Sequence, residues 1–143
     1  MKRISLGIVF LFVFTSLTGC FRPEQGQVQG KVTYNGYNLR SGLVVFVPDV
    51  TKNEVGVIAT GKIREDGSFT MYTGTSMGVP AGYYRVTVSS LAPSSYDQSF
   101  GGKFDYPQSI IPEFYRDPDQ SQLTCKVEPK RMNDFHIALV DRK

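Results

Sequence analysis

From Val28 onward this chain is built of short runs in which apolar and polar residues alternate, each bounded by Gly, Pro, Asn or Asp. No stretch repeats its apolar residues at helical spacing, so the pattern commits the chain to β-strands. Val28, Gly30, Val32 and Tyr34 alternate up to Asn35-Gly36, a pair suited to a tight hairpin turn because that turn needs positive φ. Leu43–Val47 is an almost continuous apolar run stopped by Pro48-Asp49, and Val55–Ile63 reads as a third strand weakened by two glycines. Asp66-Gly67 turns the chain into Ser68–Tyr72, with Phe69 and Met71 on one face. Tyr83–Leu91 sets Tyr84, Val86 and Val88 together. Leu123, Cys125 and Val127 share a face in the next run, and Phe135, Ile137 and Leu139 share one in the last. Seven runs in one domain predict an all-β protein, a seven-stranded antiparallel β-sandwich with its sheets about 10 Å apart. One long loop precedes the last two strands.

The N-terminus has a different character. Met1-Lys2-Arg3 leads into Leu6–Phe14, apolar apart from Gly7, and then into Leu17-Thr18-Gly19-Cys20. A basic start, a short apolar stretch and small residues at the cut are the anatomy of an export signal. The segment is shorter than the ~20 apolar residues of a membrane span. The last four residues resemble the lipobox of bacterial lipoproteins. That resemblance implies cleavage after Gly19, with Cys20 carrying a thioether-linked lipid and becoming the first mature residue. A plain secretory signal or an uncleaved anchor is the competing reading. The expected organisation is a signal over 1–19, a polar tether over 20–26 and a domain over 27–143. The expected location is the cell envelope, with the chain held to a membrane by its lipid. Phe21 stands where an aspartate often retains such proteins at the inner membrane, which favours the outer membrane.

Composition narrows the partners. The full chain has a net charge of +3, but the signal carries two of its sixteen basic residues and none of its thirteen acidic ones, leaving +1. Nucleic acid is not an expected partner, since it calls for clustered Lys and Arg on one face. With Cys20 acylated, Cys125 is the one remaining cysteine, and its alternation with Leu123 and Val127 makes it a small core residue. No internal disulfide can form, and no cofactor is expected beyond the covalent lipid.

Residues 91–121 break the pattern. Prolines 93, 107, 112 and 118 interrupt any periodicity, yet the segment holds Tyr96, Phe100, Phe104, Tyr106, Phe114 and Tyr115. A disordered linker has few aromatics, and long loops in compact domains are commonly functional. Ile110, Ile111, Phe114 and Tyr115 are expected to pin the loop to the domain. Tyr96, Phe104, Tyr106 and Tyr115 are the candidate ligand-binding residues, with core packing as their alternative role.

No catalytic residue emerges. His136 is the only histidine, and its place between Phe135 and Ile137 turns it to the solvent face, away from any triad. Glu113, Asp117 and Asp119 lack the glycine turn of a calcium loop, so no metal site is expected. Glycines 74, 78 and 82 have no following Lys and hydroxyl pair and read as loop punctuation.

Four segments match a family in order: Gly30-Lys31-Val32-Thr33-Tyr34-Asn35-Gly36, Gly42–Pro48, Asp66-Gly67-Ser68-Phe69 and Val79-Pro80-Ala81-Gly82-Tyr83-Tyr84-Arg85-Val86-Thr87-Val88. They resemble the carboxypeptidase regulatory-like domain, a transthyretin-like β-sandwich of Ig-like architecture, and the short bacterial lipoproteins built from it. In those proteins a segment similar to Ile111–Pro118 precedes the penultimate strand. Ile63-Arg64-Glu65 departs from the Thr-Asp pair that many members carry before the Asp-Gly turn, which bears on the turn's hydrogen bonds and not on the fold. The resemblance implies a folding pattern without a catalytic motif. A hydroxyisourate hydrolase on the same fold uses several histidines and a C-terminal tail that are missing here. The expected function is a non-enzymatic binding or scaffolding module for envelope proteins. The alternative is a carbohydrate-binding surface lipoprotein using the aromatic loop 91–121.

Overall fold

A computed structural model of the protein describes residues 23–52, 54–93, 96–97, 103–104 and 106–142. The strands in chain order are β1 (Gln25–Tyr34), β2 (Tyr37–Asn38), β3 (Gly42–Pro48), β4 (Ala59–Ile63), β5 (Ser68–Thr70), β6 (Tyr72–Thr73) and β7 (Ser76–Met77). They continue with β8 (Val79–Pro80), β9 (Gly82–Ser89), β10 (Tyr96–Asp97), β11 (Lys103–Phe104), β12 (Leu123–Val127) and β13 (Met132–Leu139). Two single-turn 3₁₀ segments, Val50–Lys52 and Glu113–Arg116, lie among the described residues.

The chain is mostly β, as the alternation requires. One sheet is centred on β1, with β13 along one side and β2, β5 and β8 along the other. The second runs β12-β9-β3-β4-β6-β7. Val28, Val32, Phe69, Ile137 and Leu139 of the first sheet share one apolar core with Val44, Phe46, Ala59, Val86 and Val88 of the second. Two sheets closed on a single core is the arrangement of a sandwich.

The expected antiparallel pairing holds at every described ladder but one. β1 and β13 run parallel, from Gln27 opposite Met132 to Tyr34 opposite Leu139. A parallel pair needs a long crossover, and here almost the whole domain supplies it. The strand also starts earlier than the domain boundary at residue 27, because Gln25 and Gly26 already pair with Pro80 and Val79.

The third expected strand is shorter than Val55–Ile63. The β3–β4 ladder stops where Phe46 faces Ala59, and Pro48 closes β3 without an N–H to donate. Residues before Ala59 therefore have no strand to join, and Val55, Val57 and Ile58 stand exposed. In the long loop Ile111 and Tyr115 are buried and Phe114 packs against the core, but Ile110 faces solvent. Leu123, Cys125 and Phe135 are half-buried against that core, whereas His136 is exposed as its alternation predicts.

Registry sorts the connections into two ends. Pro48 faces Tyr84, Val127 faces Gly82 and Gln25 faces Pro80. The start of β1, the 49–58 connection and the 128–131 turn thus share one end. The Asn35-Gly36 turn, the start of β3 (Gly42, opposite Ser89) and the end of β4 (Ile63, opposite Gly42) lie at the other.

Candidate functional site

At this second end the hairpin geometry exposes an aromatic side chain. Asn35 and Gly36 both take positive φ, 49° and 85°, the requirement of a type I′ turn. The turn delivers Tyr37 to β2 with 79% of its surface exposed. Beside it the C-terminal segment is tied down through one carboxylate: the Tyr34 hydroxyl donates to Asp141 Oδ1 at 2.7 Å and Asn35 Nδ2 donates to Oδ2 at 3.0 Å. These bonds hold the Asp141 carboxyl below its usual range, and the same carboxylate raises the Tyr34 hydroxyl above its own. A shallow cleft of about 440 Å³ opens here, lined by Tyr34, Asn35, Tyr37, Arg40 and Ile110 among others. It offers apolar rings, an amide and a guanidinium to a ligand, the mixture a polar ligand or a protein loop requires.

The four candidate residues of the long loop separate. Tyr106 is 84% exposed. Tyr115 is buried at 3% exposure, its hydroxyl donating to the Val140 carbonyl and accepting from the Val140 N–H, both at 3.0 Å. Arg142 lies 4.3 Å from the Phe114 ring centre and covers the pair. Tyr115 is therefore a strut, with no ring face for a ligand. Tyr96 and Phe104 face each other as backbone partners in the β10–β11 hairpin, and their side chains lie outside the described residues, as does Cys20. Tyr37 and Arg40 escaped the sequence reading. The signal for Tyr37 was the Asn-Gly pair before it, since a residue just past a tight turn on a two-residue strand has little to pack on.

Other polar groups have structural partners. Asp49, 4% exposed, accepts from the Thr51 hydroxyl at 2.6 Å, the Thr51 N–H at 3.1 Å and Arg85 Nε at 3.2 Å. Thr51 foremost, with Arg85 behind it, keeps this carboxyl below its usual range. Arg85 also pairs with Asp119 and so ties the long loop to β9. At Ile63-Arg64-Glu65, before the Asp-Gly turn, Arg64 donates to Ser68 Oγ and Thr70 Oγ1, both at 3.1 Å, and Ser68 N–H is taken by Asp66. Cys125 has its thiol pushed up to about 12 by burial, which leaves it a thiol and a poor nucleophile. His136 lies 3.3 Å from the Thr33 hydroxyl across the β1–β13 pair. Among the described residues no three acidic, His or Cys side chains converge as a metal site would require. No protein-family model, curated protein or solved structure matches this chain.

Proposed function

We propose that the protein is a lipid-anchored, non-enzymatic module of the cell envelope, with a carboxypeptidase regulatory-like sandwich that presents a docking surface for another envelope protein. The observation that carries this reading is polarity along β1. Pro23, three residues after Cys20, precedes the strand at one end, and the Tyr37 cleft sits past its other end. Ten strand residues span about 33 Å at ~3.3 Å each, so a lipid on Cys20 would leave the cleft facing away from the bilayer.

Two measurements test it. Radiolabelled palmitate should enter the full-length chain and be lost in Cys20→Ser. A photo-crosslinking amino acid at position 37, in the chain in its native envelope, should capture one discrete protein band, and the same probe at Lys130, in the turn at the opposite end, should not. Equal or absent capture at both positions overturns the docking surface.

The exposed rings of Tyr37 and Tyr106 support a second reading, a glycan-binding surface lipoprotein, because sugars bind by stacking on solvent-facing aromatics. A glycan-array signal abolished by Tyr37→Ala or Tyr106→Ala, with no protein captured, would select it.

A further inference from the structure

The end of the domain that carries Pro23 also carries an apolar segment with nothing over it among the described residues. Val50 is 73% exposed, Val55 99%, Val57 54% and Ile58 55%. An isolated exposed valine means nothing, but four large aliphatic side chains exposed within nine residues of one connection is a concentration that marks a contact site. The segment is also not a failed piece of core. It follows the point where the β3–β4 ladder ends, and Val55 and Val57 wall a cleft of about 290 Å³ whose other side includes Pro23, Gln25 and Pro80. At the same end Tyr83 is flanked by two ammonium groups, Lys52 Nζ at 4.8 Å and Lys126 Nζ at 5.5 Å from its ring centre. Tyr and Lys have an apolar body and a polar tip, a build suited to lipid headgroups.

We infer that the Val50–Ile58 connection is a membrane-contact surface, whose valines and isoleucine enter the headgroup and upper acyl region of the bilayer that holds the anchor. This rests on the reading of Cys20 as lipidated. The occupant follows from chain length. Pro23 is three residues from Cys20, a reach of at most ~11 Å at ~3.6 Å per residue. The headgroup layer is itself some ~5–8 Å deep on each side of the hydrocarbon. A domain held that close meets lipid with whatever surrounds Pro23, and what surrounds it is the wall of Val55 and Val57, with Glu54 and the Glu24–Lys130 ion pair beside it at headgroup level. A second copy or a protein partner would have to displace lipid from the same few ångströms.

The chain contains no Trp, so a single Val57→Trp gives an unambiguous reporter. The mature lipidated protein is reconstituted into phosphatidylethanolamine–phosphatidylglycerol vesicles with or without brominated acyl chains. Glu65→Trp, at the opposite end, serves as the control, and intact mass reports the lipid on Cys20. With the lipid present, the expected result is blue-shifted emission at position 57 that brominated lipid quenches, beside red, unquenched emission at position 65. Water-like, unquenched emission at both positions in a lipidated, vesicle-bound protein overturns the membrane-contact surface and leaves the anchor standing. Absence of the lipid adduct overturns the anchor and the contact surface together.

Discussion

At the scale of single residues, the strongest commitments in this structure are polar groups that hold irregular backbone in place. Tyr115 is the clearest case. Its hydroxyl satisfies both polar groups of Val140, so Tyr115→Phe would keep the packing and strand an N–H and a carbonyl. Each lost hydrogen bond is worth about 0.5–1.5 kcal/mol net, and the melting temperature of the variant should fall by a few degrees with no change in strand content by circular dichroism. Asp49 makes a pH-dependent contribution. Its carboxyl is held below the usual range when folded, so the folded state binds the proton less tightly than the unfolded chain. The stabilisation is therefore present above the ordinary carboxylate pKa of about 3.9 and lost as pH falls through the lower folded value. Asp66 and Asp141 shift in the same direction. Asp49→Asn should melt below the parent at neutral pH, and the gap should close below about pH 4, as melting curves over a pH series would show. An unchanged gap across that series would mean that the charge on Asp49 contributes nothing.

At the scale of elements, local alternation located most strands and could not reveal their partners. Phe69 and Met71, or Tyr84, Val86 and Val88, are legible because period-2 spacing places them on one face and every one is buried. The same spacing at Val55 and Val57 extended the third strand four residues beyond its actual start at Ala59, since alternation reports the geometry of an extended chain and not the presence of a neighbour. The parallel β1–β13 pair was out of reach for a related reason: it joins residues over a hundred positions apart, and no local motif encodes it. Gly30 shows what that pairing demands. In the alternation it occupies an inward position, where a larger residue is the usual choice. A Cβ there would lie 2.0 Å from the Phe135 carbonyl oxygen and 2.8 Å from Phe69 Cζ. The missing side chain thus admits the Phe69 ring and lets β13 close on β1. Gly30→Ala should cost at least about 1–3 kcal/mol through overpacking. Gly56→Ala, whose Cβ would meet only Pro48 Cγ at 3.6 Å, should leave the denaturation midpoint nearly unchanged. Similar midpoints for the two variants would show that β1 can move away from β13 freely.

At the scale of the whole molecule, the two sheets give the domain two unlike ends, and under the proposed anchoring the question is what orients them. A lipid on Cys20 with a tether of a few residues would confine the domain near the bilayer whether or not its surface had any affinity for lipid. Such a short flexible link gives an effective concentration on the order of millimolar. On the proposed membrane contact, the exposed connection would add a second, independent contribution. Full burial of one Val or Ile is worth about 1.5–3 kcal/mol, and Val50, Val55, Val57 and Ile58, all more than half exposed, supply several partial burials. Confinement and intrinsic affinity can be separated by lengthening the tether. Ten Gly and Ser residues inserted after Phe21 extend the root-mean-square reach by ~16–19 Å at ~5–6 Å per square root of residue number, enough to let a domain without affinity leave the surface. If the apolar connection binds lipid itself, bromolipid quenching of Val57→Trp should survive the insertion largely intact. It should then be lost when Val50, Val55 and Ile58 are changed to Ser in the lengthened chain. If the tether alone imposes the contact, the insertion by itself should abolish the quenching. The Tyr37 cleft would then be free to tumble, and photo-crosslinking from position 37 should weaken in the same variant.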